Sequence, residues 1–138
     1  MSDGAATPAV PESTLLDALG FEAVEIGDER ALGRFAVEDR VRQPFGVVHG
    51  GAYAAMAESL ASVATYQGVA SDGMTALGLS NQTSFLRPLS DGAVESEARR
   101  VHRGRTTWLW DVDHRDGEGR LCAVSRVTIA IRPAPDAP

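Results

Sequence analysis

An α+β domain, with one long helix laid against an antiparallel sheet, is the fold class the sequence predicts. A single stretch, residues 52–67, holds helical periodicity for several turns. Four strand-length segments follow it, and the turns between them are too short for the crossovers that parallel strands need. At 138 residues the chain fits one domain and has no room for a second. With 43% hydrophobic residues it can build a core without disulfide or metal staples.

The elements follow in order. Residues 1–11, rich in Ala, Pro and Ser, read as a disordered lead, and residues 133–138 as a flexible tail. Ser13 is the expected cap of a short helix over residues 14–19, ended by Gly20. Residues 22–26 and 31–37 make a strand pair about the turn Gly27-Asp28. From Val41 to Gly51 the punctuation by Pro44, Gly46, Gly50 and Gly51 marks a loop. In the helix over 52–67, closed by Gly68, a step of about 100° per residue puts Tyr53, Met56, Ala57, Leu60, Val63 and Ala64 on one face, expected to meet the sheet. Strands are expected over 76–85, 93–102, 106–114 and 121–131, the last two joined by the turn Asp116–Gly119. In the final strand Leu121, Ala123, Val127, Ile129 and Ile131 share one face, with Cys122, Val124 and Arg126 on the other. These segments make a sheet of five to six strands.

The formal charge of -6 argues against nucleic acid, whose binding selects a basic face. All 13 basic residues are arginine, so any phosphate must be held by guanidinium forks or backbone amides. The single Cys122 excludes an internal disulfide and a cysteine-rich metal site, and His49, His102 and His114 lack metal-ligand spacing. No metal or cofactor is expected. His102 and His114 read as solvated strand or turn positions, while His49 either orients its loop or caps the helix. Met1 to Val10 lack the basic start and apolar run of a signal peptide, and no apolar stretch approaches about 20 residues, so a soluble cytoplasmic protein is expected.

Chemistry concentrates at Gln43, His49-Gly50-Gly51, Glu58 and Ser62. Two glycines at a helix start admit a ligand close to the backbone and leave free N–H groups at the positive end of the helix dipole. That suits a phosphate or the oxyanion of an attacked carbonyl, although a plain glycine-rich helix entry would look the same. Measured from Tyr53, Glu58 lies about 140° round the helix, Ser62 about 180° and Thr65 about 120°. They form a polar strip flanked by Ala54, Ala55 and Ala61, in a helix with no other charged side chain. A solvated face normally carries several charges, so a lone carboxylate among alanines suggests a covered surface and a role as base or nucleophile, the plain alternative being a stray surface glutamate. At about 1.5 Å per residue, Glu58 stands roughly 12 Å along the axis from Gly50. If both act on one thioester carbonyl, they come from different chains related by a two-fold axis. There is no G-x-S-x-G elbow, P-loop or G-x-G-x-x-G.

The segment from Arg42 through Gln43-Pro-Phe-Gly-Val-Val-His-Gly-Gly to Glu58 resembles the hotdog-fold thioesterases, and within them the Arthrobacter-type 4-hydroxybenzoyl-CoA thioesterases. Ser80–Pro88, Thr106–Asp111 and Gly119–Val124 extend the similarity over nearly all of residues 40–132. The resemblance implies a long helix wrapped by an antiparallel sheet, homodimers that form the active site, and a dimer of dimers, a homotetramer. It implies hydrolysis of an aromatic acyl-CoA, first 4-hydroxybenzoyl-CoA, with coenzyme A entering only as part of the substrate. Glu58 would be the catalytic carboxylate, the Gly50 amide would polarise the thioester carbonyl, and Gln43 would help hold it. Ser62 stands where this type has threonine, keeping a hydroxyl. His49, Gly51, Arg87, Arg105 and Thr106 would contact substrate, Arg105 replacing an expected serine. A phenylacetyl-CoA or other benzoyl-CoA thioesterase, a hotdog hydratase and a non-catalytic acyl-CoA-binding module are the alternatives.

Overall fold

The computed structural model describes residues 11–135. Of the expected lead, all but Pro11 lies outside them, as does the tail beyond Pro135. Pro133 is not tail: it ends the last strand, and the Ala134 N–H donates to the Gly73 carbonyl at 2.9 Å.

The elements are α1 (Leu15–Leu19), β1 (Glu22–Ile26), β2 (Arg30–Ala36), α2 (Gly50–Val69), β3 (Met74–Phe85), β4 (Ala93–Arg103), β5 (Thr107–Arg115) and β6 (Leu121–Pro133). Single 3-10 turns occupy Asp39–Val41 and Ala70–Asp72. The strands form one antiparallel sheet in the order β1-β2-β4-β5-β6-β3, so β1 and β3 are its edges. α2 covers one face, mainly over β3 and β6. The other face is charged, with Arg30–Glu97, Arg99–Asp113 and Arg126–Asp111 paired across strands. An antiparallel sheet packed on one side and wetted on the other needs this alternation.

Thr14, not Ser13, is the N-cap of α1, because its N–H donates to Asp17 Oδ2 at 3.0 Å and closes the first turn. Gly20 ends the helix at φ 73°, a left-handed conformation that suits glycine.

Two tryptophans decide how α2 sits. Trp108 and Trp110 alternate inward along β5 with Val112 and His114, and all four are fully buried. Trp110 Nε1 donates to Thr65 Oγ1 at 2.9 Å, and that hydroxyl donates to the Ala61 carbonyl at 2.7 Å. Thr65 and Ala61 therefore belong to the core, not to the polar strip, while Val63 is 42% exposed instead of sheet-facing. The buried arc has turned toward the Ala57–Ala61–Thr65 ridge because the indoles fill that side. Gly68 does not close the helix, which runs to Val69. Its role is space: a Cβ there would stand 2.4 Å from Trp108 Cη2.

Register breaks set which side chains face the helix. The β3–β6 pairing slips between Gly78 and Ser80, leaving Leu79 as an extra residue. Before the bulge Ala76 and Gly78 oppose the inward Ile131 and Ile129; after it Asn81, Thr83 and Phe85 oppose the inward Val127, Ser125 and Ala123. A one-residue slip exchanges the two faces of a strand. A second break pairs His114 with Ala123 but Arg115 with Leu121. Cys122 is thereby fully buried, and Leu121 lies opposite exposed Arg115, reversing the expectation for these two. His114 is also no solvated residue, since its inward position on β5 buries it completely.

Candidate active site

Four groups meet at the N-terminus of α2. His49 is the N-cap, and its Nδ1 accepts the Gly51 N–H at 2.8 Å. The Gly51 amide is thus engaged by its own cap. Gly50, first residue of the helix, has no helical acceptor for its N–H by position. Gln43 Oε1 accepts the Phe45 N–H. With the oxygen fixed in this way, the side-chain NH₂ of Gln43 is the end left to donate. Gln43, Gly50, Tyr53, Phe85 and Arg87 line a cavity of about 360 Å³, completed by Val47, Val48, Leu86, Pro88 and Leu89. Its donors are an amide, a carboxamide and a guanidinium, and its walls are aromatic and aliphatic. Such a cavity can hold a polarised carbonyl beside an apolar acyl group.

Phe85 shapes this cavity. A Cβ on Gly50 would lie 2.6 Å from Phe85 Cζ, so the ring rests directly on the glycine. Tyr53, one turn into the helix, faces the same ring with centroids 6.3 Å apart. The Tyr53 hydroxyl is buried and makes no hydrogen bond among the described residues. Burial holds this phenol above its ordinary range, and the neighbouring Cys122 thiol raises it further.

Glu58 lies elsewhere. It borders an open cleft of about 510 Å³ with Ala54, Ala55, Ser59, Ser62, Val63, Asn81 and two leucines of α1. Its carboxylate rests against Gly78 of β3, where a Cβ would come within 3.3 Å of Oε2. The side chain is exposed. The cover expected from its alanine surroundings is therefore absent among the described residues: α1 borders one side of the cleft, and the carboxylate stays open to solvent. Ser62, one turn further, borders the same cleft.

Arg105 and Thr106 are exposed in the loop between β4 and β5. That loop precedes Trp108, which packs on Gly68 near the far end of α2. The residues read from the sequence thus fall into three places in one chain: Gln43, His49, Gly50, Gly51 and Arg87 at the start of α2, Glu58 and Ser62 along it, Arg105 and Thr106 beyond its end. Among the described residues, no cluster of three His, Cys, Asp or Glu side chains could hold a metal ion, and no helix is long and apolar enough to cross a membrane.

Sequence reading did not anticipate the hydrogen bonds that join Ser96, His114, Ser125, Thr83 and Asn81. His114 continues the inward alternation of Trp108, Trp110 and Val112, a signal present in the sequence. No such signal marks Asn81 and Thr83, because the Leu79 bulge exchanges their face.

One helix wrapped by a six-stranded antiparallel sheet, with a glycine pair at the helix entry and a carboxylate two turns on, is the hotdog thioesterase architecture. The model of the Thioesterase superfamily matches residues 45–123, more than half of the chain, and the protein belongs to that family. It is 37% identical over 123 residues to the proofreading thioesterase EntH of Cronobacter turicensis, covering 89% of each chain. Among solved structures it is similar to a glutamine-to-alanine variant of thioesterase PA1618 from Pseudomonas aeruginosa, with a TM-score of 0.84, 35% identity and 88% of each chain covered. Thioesterase HI1161 from Haemophilus influenzae gives a TM-score of 0.85 at 33% identity, covering 91% of this chain and 87% of its own.

Proposed function

We propose that this protein hydrolyses acyl-CoA thioesters at a site built by two chains, Glu58 of one acting on a carbonyl held at Gly50 of its partner. Its preferred acyl group is aromatic, 4-hydroxybenzoyl first, with phenylacetyl and other benzoyl esters as the nearest variants. The observation that carries the two-chain reading is a coincidence of centres. The residue midway between Gly50 and Glu58 is Ala54. On β3, Phe85 packs on Gly50 and Gly78 packs on Glu58, and their midpoint falls between Asn81 and Gln82. Asn81 and Ala54 touch, Nδ2 donating to the Ala54 carbonyl at 2.8 Å. One two-fold axis through this contact would therefore pair β3 with β3 and α2 with α2, and set each Glu58 against the partner's helix entry. β3 is an edge strand with Leu77 56% and Leu79 57% exposed, the kind of edge that pairs with another chain. The same pairing supplies the cover that Glu58 lacks, and brings the Arg105–Thr106 end of one chain toward the Arg87 end of the other, where a CoA phosphate can meet guanidinium groups.

In this site the Gly50 N–H, at the positive end of α2, and the Gln43 carboxamide polarise the thioester carbonyl. Either Glu58 takes a proton from a water that attacks the carbonyl carbon, or it attacks that carbon itself to form a mixed anhydride, which water then hydrolyses to restore the carboxylate; in both the CoA thiolate leaves and is protonated, giving acid and free thiol. Ser62 stands one turn from Glu58, placed to hold water or carboxylate. The aromatic preference rests on the Tyr53 and Phe85 walls beside Gly50. Likeness to a proofreading thioesterase favours a second reading, clearance of varied acyl groups with no strong preference. Thiol release from a panel of acyl-CoA esters, ranked by kcat/KM, separates the two.

Complementation tests the shared site. Glu58→Ala removes the carboxylate, and Gly50→Pro removes the N–H at a helix position that accepts proline. Each variant alone is expected to be inactive. Unfolded and refolded together, they should recover roughly a quarter of wild-type turnover, because half the dimers are mixed and each holds one intact site. No recovery from mixed dimers would overturn the two-chain reading, and turnover by Glu58→Ala alone would overturn the catalytic one.

A further inference from the structure

A chain of five hydrogen bonds crosses the sheet under α2 and ends on the turn that carries Glu58. Ser96 Oγ of β4 lies 2.7 Å from His114 Nδ1 of β5; His114 Nε2 lies 3.0 Å from Ser125 Oγ of β6; Ser125 Oγ lies 2.8 Å from Thr83 Oγ1 of β3. Thr83 Oγ1 donates to Asn81 Oδ1 at 2.9 Å, and Asn81 Nδ2 donates to the Ala54 carbonyl at 2.8 Å. Ser96, His114 and Ser125 are buried, and Asn81 and Thr83 half-buried.

The last bond fixes the direction of the others as far as His114. A carbonyl only accepts, so Asn81 must present its NH₂ to Ala54 and its oxygen to Thr83. The Thr83 proton is spent on Asn81, so Thr83 accepts from Ser125. The Ser125 proton is spent in turn, so it accepts from His114 Nε2–H. His114 thus carries a proton on Nε2, and with burial keeping the ring neutral its Nδ1 accepts from Ser96. Every hydroxyl has one proton and one use, and the series has no slack.

Its terminus matters because Ala54 is one helical turn before Glu58. The Ala54 carbonyl is the i−4 acceptor for the Glu58 N–H, so Asn81 adds a second donor to the bond that seats Glu58. Asn81 also lies just past the Leu79 bulge, whose other flank, Gly78, lies against the Glu58 carboxylate. The spacing between helix turn and strand at Glu58 is set at this contact.

We propose that Asn81 and Thr83 are positioning residues for Glu58, and that the Ser96–His114–Ser125 segment exists to orient them. The proposal rests on the catalytic reading of Glu58. Misplacing a reacting group by about 1 Å can cost on the order of 10²-fold in rate. Asn81→Asp, which turns an acceptor toward the Ala54 carbonyl, is expected to lower kcat by about that factor with KM within about twofold. Thr83→Val keeps the shape and removes the proton; it should cost about 10-fold in kcat, and Thr83→Ser should restore it. The assay is steady-state thiol release from an acyl-CoA ester at 25 °C, with folded fraction and assembly state checked by near-UV circular dichroism and sedimentation. Equal kcat for Thr83→Val and Thr83→Ser, or a loss carried by KM, would overturn the proposal. Glu58→Ala, run alongside, keeps the failures apart: if it still turns over, the catalytic reading is wrong; if it is dead while Asn81→Asp and Thr83→Val match wild type, only the positioning role is wrong.

Discussion

His114 makes the stability of the protein depend on pH in a narrow window. Its imidazole is fully buried between two serine hydroxyls, with the Tyr53 ring edge-on at 5.3 Å. Burial lowers its pKa from 6.5 to about 4, against a small opposing pull from Asp113. Between those values the unfolded chain binds a proton that the folded chain refuses. Stability is therefore complete above about pH 6.5, falls as pH drops toward 4, and levels off below it. At about 1.36 kcal/mol per pH unit, the fall is worth ~3 kcal/mol, a large share of a small domain's stability. Urea unfolding at fixed protein concentration and ionic strength, between pH 7 and pH 4, should show that loss. His114→Gln keeps a donor and an acceptor but cannot titrate, so its curve should be flatter by the same amount. Asp116 does not blur the result: bonds from Arg120 hold it below the ordinary carboxylate value, so its contribution is lost below about pH 3.8, outside the window. The reasoning fails if wild type and His114→Gln lose stability in parallel, or if the buried imidazole proton resonance titrates near 6.5 in the folded protein.

Other substitutions probe contacts already described. Gly68→Ala gains helix propensity but drives a methyl into Trp108, which is 1% exposed and has no room to yield. A net loss of roughly 1–2 kcal/mol and a Tm lower by about 3–7 °C are expected in thermal melts. Gly50→Ala also meets a ring, yet Phe85 is 59% exposed and can swing away. Stability should change little while KM for aromatic esters rises. A double-mutant cycle with Phe85→Leu should give a coupling above about 0.5 kcal/mol in kcat/KM. Leu77→Lys places a charge on the exposed β3 edge; sedimentation should show dissociated chains and turnover should fall with them.

The sequence by itself determined the elements and the chemical parts of the site. Period-3.6 patterning requires one long helix, short turns require antiparallel pairing, and His49-Gly50-Gly51 before a helix with a single carboxylate puts free helix-start N–H groups and one acid on the same element. Those features are local, set by neighbours a few residues away. Tertiary structure decided which side chains face one another. Val63 was lost from the core and Thr65 gained because two tryptophans from a distant strand turned the helix about its axis. One extra residue at Leu79 exchanged the faces of β3 and brought Asn81 under the helix. Cys122 went inside at a second register break, between His114 and Arg115. A strand's alternation is readable from the chain, but its phase depends on pairing with a partner far away in sequence, where a slip of one residue reverses every side chain. The separation of Glu58 from Gly50 follows likewise from helical rise alone, while the contact between Asn81 and Ala54, midway between them, exists only once the sheet has closed over the helix.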